Sequence, residues 1–374
     1  MNLPVFVSDI LKTLEAAGYP AYLVGGPVRD LVMGKQPGDW DITSAATPET
    51  VQSLFPKTVP TGLKHGTVTV VSDGKHIEVT TFRRDGAYTD HRRPEQVDFV
   101  TDLCEDLARR DFTINAMALD LRGALTDPFG GQTDIAAELI RCVGEPETRF
   151  EEDALRMFRA LRFSAQLGFT IDPATLAASK AKSHLAAHLS AERVRDEVEK
   201  ILMSPRPEVL AEVITVGLLT NYLTSQAPER WAQRSLQGLD RLGRWAAFAA
   251  YGADIQAFRL DGNTTTIAST AAVLAADLPC DPVALKRLLA QYGVASVRCA
   301  AELSDSVDAL ERVFISGDPY ALDALAISGA DLIAAGHAPG PDLGVLLSQL
   351  LDHVIQFPAD NQREILLKKA EELS

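Results

Sequence analysis

The feature that most constrains this chain is a change of hydrophobic period near residue 145. Before it, apolar residues come in short alternating bursts, the mark of strands, interleaved with short helical segments. Beyond it strand signals nearly vanish. Helical spacing runs through 148–168, 173–188, 190–203 and 206–218, and most of the chain beyond 218 is Ala/Leu-rich helix. The pattern predicts an α+β head followed by an all-α remainder.

Local signals place the elements of the head. AYLVGG (21–26) is an apolar strand running into glycines, and VRDLVMG is a short helix stopped by Gly34. DWDIT (39–43) alternates and predicts a strand. Thr47 and Pro48 are an N-cap and a first helical residue. GTVTVVSDGKHIEVTTF (66–82) predicts a β-hairpin about Asp73-Gly74. RRDGAYTDHRRPEQ (83–96) is a loop too charged to bury, VDFV (97–100) a strand, and 102–121 a helix leading into a strand. Pro279, Pro282, Pro339 and Pro341 mark breaks in the helical half.

The formal net charge of −15 argues against a broad electrostatic grip on nucleic acid. The arginines cluster, however, in 83–94, 108–112 and 156–163, which leaves room for one basic groove. Cys104, Cys142, Cys280 and Cys299 have no CxxC spacing, so neither a zinc site nor a disulfide framework is indicated, and a reducing cytosol fits. The N-terminal segment reads as an amphipathic helix ending at Gly18, not a signal peptide. No apolar stretch reaches membrane-spanning length.

GGPVRDLVMGKQPGDWDIT (25–43) carries the first chemistry. Asp39 and Asp41, two apart on a predicted strand, leave the same face. Adjacent carboxylates repel unless a cation sits between them, and Mg²⁺ prefers such oxygen donors and accepts phosphate oxygens. Two such ions, about 3.5–4 Å apart, activate an attacking oxygen and stabilise a leaving one. Gly25 and Gly26 let backbone approach a ligand, the adjoining helix start favours anions, and Arg29 adds a forked donor for phosphate. No Lys is present in the turn GGPVRD, so this is not a Walker A loop. Glu78 on the hairpin's second arm reads either as a third acidic ligand or as a solvent-facing residue.

Two further segments are dense in charge. In LARRDFTINAMALD (107–120), Arg110 reads as near a triphosphate or a base, with Asp111 and Asn115 near a ribose or ordering the loop; spacing alone does not choose. In EEDALRMFRALRF (151–163), Leu155, Phe158 and Leu161 have core spacing, while Asp153, Arg156, Arg159 and Arg162 recur every three residues. His184 and His188, one helical turn apart, form a possible metal pair without a third ligand nearby. His353 follows Asp352 in the wrong order for a His-Asp metal dyad.

Together LVGGPVRD…GDWDIT, TGLKHGTVTV, RRDGAYTDHRRPEQVDF, DLARRDFTINAMA, DPFGGQTDI, TRFEEDALRMFRALRF and AERVRDEVEKIL resemble the class II tRNA nucleotidyltransferases, which include CCA-adding enzymes and bacterial poly(A) polymerases. The resemblance covers about residues 20–205. It implies a polymerase-β-like nucleotidyltransferase head at 1–140, a helical neck at 141–205 and an all-helical, tRNA-binding body and tail at 206–374. It implies Mg²⁺ on Asp39 and Asp41. It places Gly25, Gly26, Arg29, Arg110, Asp153, Arg156, Arg159 and Arg162 at the nucleotide, with Glu192, Arg193 and Glu197 supporting the pocket. The implied substrates are the tRNA 3′ end with CTP and ATP, and the implied compartment is the cytoplasm.

The resemblance covers several products. TGLKHGTVTV fits CCA addition, the Arg-rich element of poly(A) polymerases is not found, and the loop at 83–96 that CC-only enzymes lack is present in the sequence. A-only addition keeps that loop and stays a rival. CTP and ATP share an exocyclic amine beside an accepting ring nitrogen. Asp153 can accept from the amine and Arg156 donate to the nitrogen, while UTP and GTP present the reverse polarity. Three-residue spacing drifts about 60° per step around a helix, so Arg159 and Arg162 leave the Asp153 face for a phosphate, a neighbouring motif or the primer.

Overall fold

The structure is a computed structural model that describes residues 3–86, 97–224, 228–233 and 235–373. It contains two compact units, Met1–Asn221 with Gln226–Gln233, and Tyr222–Ser225 with Arg234–Ser374.

The first unit opens with α1 (Val5–Ala16), β1 (Ala21–Val24), α2 (Gly26–Val32), β2 (Asp41–Ser44), α3 (Pro48–Leu54), β3 (Thr58–Gly62), β4 (Thr67–Ser72) and β5 (Lys75–Thr81). It continues through β6 (Arg83–Asp85), β7 (Val97–Phe99), α4 (Leu103–Ala108), β8 (Ala118–Leu119) and β9 (Leu125–Thr126). Among the described residues seven strands form one mixed sheet in the order β3-β4-β5-β2-β1-β8-β9, in which only β2 and β5 pair in parallel. The β4–β5 turn holds Asp73 at φ 49° and Gly74 at φ 71°, the left-handed pair that a two-residue hairpin turn needs. Thr47 caps α3 by accepting from the Thr50 amide, as its position predicts.

Pleating divides the residues of the sheet between two faces. Leu23, Ile42, Ile77, Val79 and Leu119 join Val7, Ile10, Leu11 and Leu14 of α1 and Val51 of α3 in one buried core. Each such side chain contributes about 1.5–3 kcal/mol on burial. Val24 and Ala118 face the other way, against Leu107 of α4. Asp41 and Thr43 alternate with Ile42 and share that second face.

Two local expectations need correction, and the structure adds one strand. The second strand begins at Asp41, so Asp39 lies in the preceding bend instead of on the pleat. Residues 58–62 form an edge strand, where Pro60 is tolerated because no ladder donor is required. The charged loop expected at 83–96 begins as strand, with Arg83–Asp85 pairing against β7. Residues 87–96 of that loop lie outside the described residues.

The unit goes on with α5 (Gly131–Ala136), β10 (Leu139–Ile140), α6 (Pro146–Glu152), α7 (Leu155–Leu167), β11 (Thr170–Ile171), α8 (Pro173–Ala181), α9 (Ala191–Leu202), α10 (Leu210–Val216) and α11 (Pro228–Ala232). The helix expected over 148–168 is broken. Asp153 is extended, at φ −139° and ψ 104°, and its Oδ1 accepts from the Leu155 amide at 3.1 Å. That local bond competes with the helical ladder and starts α7 anew. The helix expected over 173–188 also ends early, at Ala181, and Ser183–His188 continue as a tighter three-residue-per-turn helix. His184 and His188 therefore do not stack on one face. No group of three metal-ligating side chains forms among the described residues.

The second unit is helical among its described residues: α12 (Arg241–Tyr251), α13 (Gly262–Leu274), α14 (Pro282–Leu303), α15 (Val307–Ser316), α16 (Gly329–Ala334), α17 (Pro341–Gln356) and α18 (Arg363–Leu373), joined by short turns. Pro282 and Pro341 open α14 and α17 as the sequence suggests, and Asp281 caps α14 by accepting from the Ala284 amide at 2.8 Å. Asp352 pairs with Arg287, and His353 Nε2 lies 2.8 Å from Asp360, so the two do not form a metal dyad. Among the described residues no helix is long and apolar enough to cross a membrane.

Candidate active site

The second sheet face carries the acidic part of the site. Asp41 opens β2 and sits beside Glu78 of β5, its register partner. Asp39 lies just ahead, in the bend. Burial first, then the charges of Asp39 and Glu78, push Asp41 up to about 6 against the pull of Arg110. Asp39 and Asp41 line one cleft, so the carboxylates do come together, through a bend instead of through pleat alternation. Glu78 is exposed and is not among the residues lining that cleft.

Behind Asp41, Asp106 organises the wall. It is fully buried and accepts from Arg109 Nη2 at 2.8 Å, Arg110 Nη2 at 3.3 Å and Thr43 Oγ1 at 3.1 Å. Burial alone would raise its pKa; Arg109 and Arg110 outweigh burial and hold it low. Nε of Arg110 is buried and makes no hydrogen bond. A guanidinium short of partners suits an anionic ligand.

The glycine turn meets this wall. Gly25 has φ +75°, and a Cβ there would lie 3.2 Å from Arg110 Nη1. Arg29 on α2 donates to Asn115 Oδ1 at 2.9 Å, and Asn115 donates to Asp111 at 3.2 Å. Asp111 also accepts from its neighbour's amide, Phe112 N, at 2.8 Å and from Arg159 Nε at 2.8 Å. Burial opposes its ionisation, yet Arg159 and these donors hold it at about 2. Asp111 and Asn115 therefore join the glycine turn to α7.

The arginines of α7 part company, as their spacing requires. Arg156 donates to Glu152, to the Arg149 carbonyl at 3.0 Å and to the Arg109 carbonyl at 2.9 Å. Arg159 turns to Asp111, and Arg162 pairs with Glu197 of α9 at 2.6 Å. Asp153, at the break before α7, is held by Arg193 of α9 at 2.9 Å. Asp153 and Arg156 thus do not lie one helical turn apart on a single helix, but both line the cleft. Glu197 is buried behind the wall, and Glu192, in the first turn of α9, is outside the lining.

The cleft is about 510 Å³ and, among the described residues, collects seven arginines against four aspartates, a strongly positive site in a chain of net charge −15. Three of its lining residues are not among the site residues expected from the sequence: Arg109, Phe163 and Leu155, the last expected only in the core. Arg109 differs from Arg110 by nothing that spacing can show. Phe163 follows core spacing and reads as ordinary core, and its one sequence signal is an arginine immediately before it.

The arrangement has close relatives. The chain is 41% identical over 381 residues to the CCA-adding enzyme of Geobacillus kaustophilus, an alignment that covers 95% of this chain and 93% of that one. The chain belongs to the CCA-adding enzyme family. The Geobacillus stearothermophilus CCA-adding enzyme is 39% identical over the same shares. Residues 21–141 match the family described as Poly A polymerase head domain, and 168–229 the one described as probable RNA and SrmB-binding site of polymerase A. Among solved structures, the Bacillus stearothermophilus CCA-adding enzyme in complex with CTP superposes with a TM-score of 0.82 at 35% identity, covering 100% of this chain and 98% of that one. The Thermotoga maritima CCA-adding enzyme complexed with tRNA shares the fold, at a TM-score of 0.67 and 22% identity over 98% of this chain and 94% of that one. The family assignment agrees with the resemblance carried by the motifs, and the α+β head with a helical remainder agrees with the fold they imply.

Proposed function

We propose that the cleft adds C, C and A to the 3′ end of tRNA from CTP and ATP without a nucleic-acid template. The observation that carries this is the meeting, in one cleft, of the Asp39–Asp41 pair with seven arginines. The name shared by relatives that cover nearly the whole chain supports this product over poly(A).

Asp39 and Asp41 fit Mg²⁺: both offer hard oxygen donors, and the repulsion that helps lift Asp41 to about 6 is what a cation relieves. Bound there, Mg²⁺ supplies charge neutralisation and activation of the attacking hydroxyl. Glu78 stays at the rim, beside Asp41. Gly25 and Gly26 let the triphosphate approach the backbone, and Arg29, Arg110 and Arg159 receive its charge. The terminal tRNA hydroxyl forms a bond to the α-phosphate, the α–β bond breaks, and pyrophosphate leaves with the hydroxyl proton passing to solvent. Positioning and charge neutralisation carry the acceleration.

Asp153 accepts from the exocyclic amine of cytosine or adenine and Arg156 donates to the adjacent ring nitrogen. Arg193 holds the Asp153 carboxylate in place, and the carbonyl bonds of Arg156 fix its guanidinium. Arg162 and Glu197 brace α7 against α9. In this reading residues 1–140 are the catalytic head, 141–205 the neck with the nucleotide-selecting helix, and 206–374 the body and tail that hold tRNA. The four free cysteines fit a cytoplasmic enzyme.

The test is direct. The protein is incubated with Mg²⁺, tRNA lacking its 3′ end, and CTP, ATP or both, and the products are sequenced. Terminal CCA is expected. An A tract, CC alone, A alone or no extension would each overturn the reading.

A further inference from the structure

The mechanism leaves Phe163 without a task, although it lies on the wall of the cleft. Its ring is surrounded by cations. The guanidinium carbon of Arg162 lies 4.1 Å from the ring centroid, that of Arg29 5.3 Å and that of Arg159 5.4 Å. These arginines come from α2 and from two turns of α7, and each has its own acidic or amide partner: Asp30 and Asn115, Asp111, and Glu197. Phe112 meets the ring edge-on at 5.8 Å and fixes its plane. Phe163 is only 6% exposed.

Three like charges packed this closely repel. Arg162 shows it, since burial first and the charges of Arg159 and Arg29 also lower its pKa, against the pull of Glu197. The carboxylates offset part of this. The negative face of an aromatic ring offsets more, at the one point the three guanidiniums share. An aliphatic side chain of similar size fills the volume without that attraction.

We propose that Phe163 is a positioning residue for the nucleotide: its ring holds Arg29, Arg159 and Arg162 together where the triphosphate binds. The inference rests on the reading of the cleft as a nucleotide site. It separates Phe163 from base selection, because the three arginines it gathers are distinct from Asp153 and Arg156. Losing the ring therefore weakens CTP and ATP by the same factor and leaves discrimination against UTP unchanged.

Equilibrium titration of the full-length protein with CTP, ATP and UTP in Mg²⁺ tests this. Phe163→Leu is expected to bind CTP and ATP about tenfold more weakly, with an unchanged CTP-to-UTP ratio, and Phe163→Tyr to restore binding. KM should rise with kcat nearly constant. Pentafluorophenylalanine at position 163 keeps the shape of the ring and reverses its quadrupole, so it should behave like Leu and decides the matter if the Leu variant fails to fold. Wild-type affinity in the pentafluoro variant, equal weakening in the Leu and Tyr variants, or an altered CTP-to-UTP ratio would each overturn the role of Phe163. A wild-type protein that binds neither CTP nor ATP would instead sink the nucleotide reading itself.

Discussion

Arg159 donates from both Nε and Nη2 to a single oxygen of Asp111, a residue 48 positions earlier in the chain. The pair fastens α7 to the turn that carries Asn115 and, through Asn115, Arg29. Because Asp111 is buried and held at about 2, below its ordinary 3.8, its ionisation favours the folded state. That contribution, about 2 kcal/mol, is fully present above roughly pH 4 and is lost as pH falls toward 2. Chemical denaturation between pH 2 and 5 should show this slope in the wild type and a flatter one in Asp111→Asn.

Asp39→Ala and Asp41→Ala should each abolish tRNA extension. Neither residue belongs to the sheet's apolar core, so thermal unfolding should shift by no more than a few degrees. Extension surviving at wild-type rate in either variant would refute the assignment of the carboxylate pair.

Asp153→Ala removes the proposed accepting partner of the base and takes the carboxylate away from Arg193. The ratio of kcat/KM for CTP over UTP should fall by about 10- to 100-fold, with a smaller loss in the rate with CTP. Single-nucleotide incorporation assays read this directly, and retained discrimination against UTP excludes the base-reading role.

Gly25→Ala places a Cβ 3.2 Å from Arg110 Nη1 at φ +75°. The strain costs about 1–2 kcal/mol and displaces the Arg110 guanidinium. KM for both nucleotides should rise together, measurable by steady-state kinetics alongside a denaturation curve.

Affinity for tRNA should depend strongly on salt despite the net charge of −15. A groove that neutralises even a few phosphates loses at least about tenfold in affinity between roughly 50 and 200 mM NaCl. Filter binding or fluorescence anisotropy across that range measures it, and a flat response would count against phosphate-led recognition.

Much was legible in the sequence because it depends on near neighbours. The change of hydrophobic period separates the sheet-bearing head from the helical half. Asp73-Gly74 sets the hairpin turn, Thr47 and Pro48 start α3, and the three-residue spacing alone sends Arg156, Arg159 and Arg162 to different partners. The clustered aspartates and arginines also mark which segments meet at the cleft.

Tertiary structure decided the rest, since the competing choices are separated by geometry that spacing does not encode. A carboxylate next to several arginines in sequence can pair with any of them, and packing selects. Asp106 takes Arg109 and Arg110, Asp111 takes Arg159 from a distant helix, and Asp153 leaves the helix to bond locally and to meet Arg193. Asp39 reaches the cleft from a bend that alternation did not foresee, and Phe163, with ordinary core spacing, faces three cations that only the tertiary fold brings from α2 and α7 to one ring. Local chemistry determined which groups were available, and the long-range burial of charge determined how they are paired.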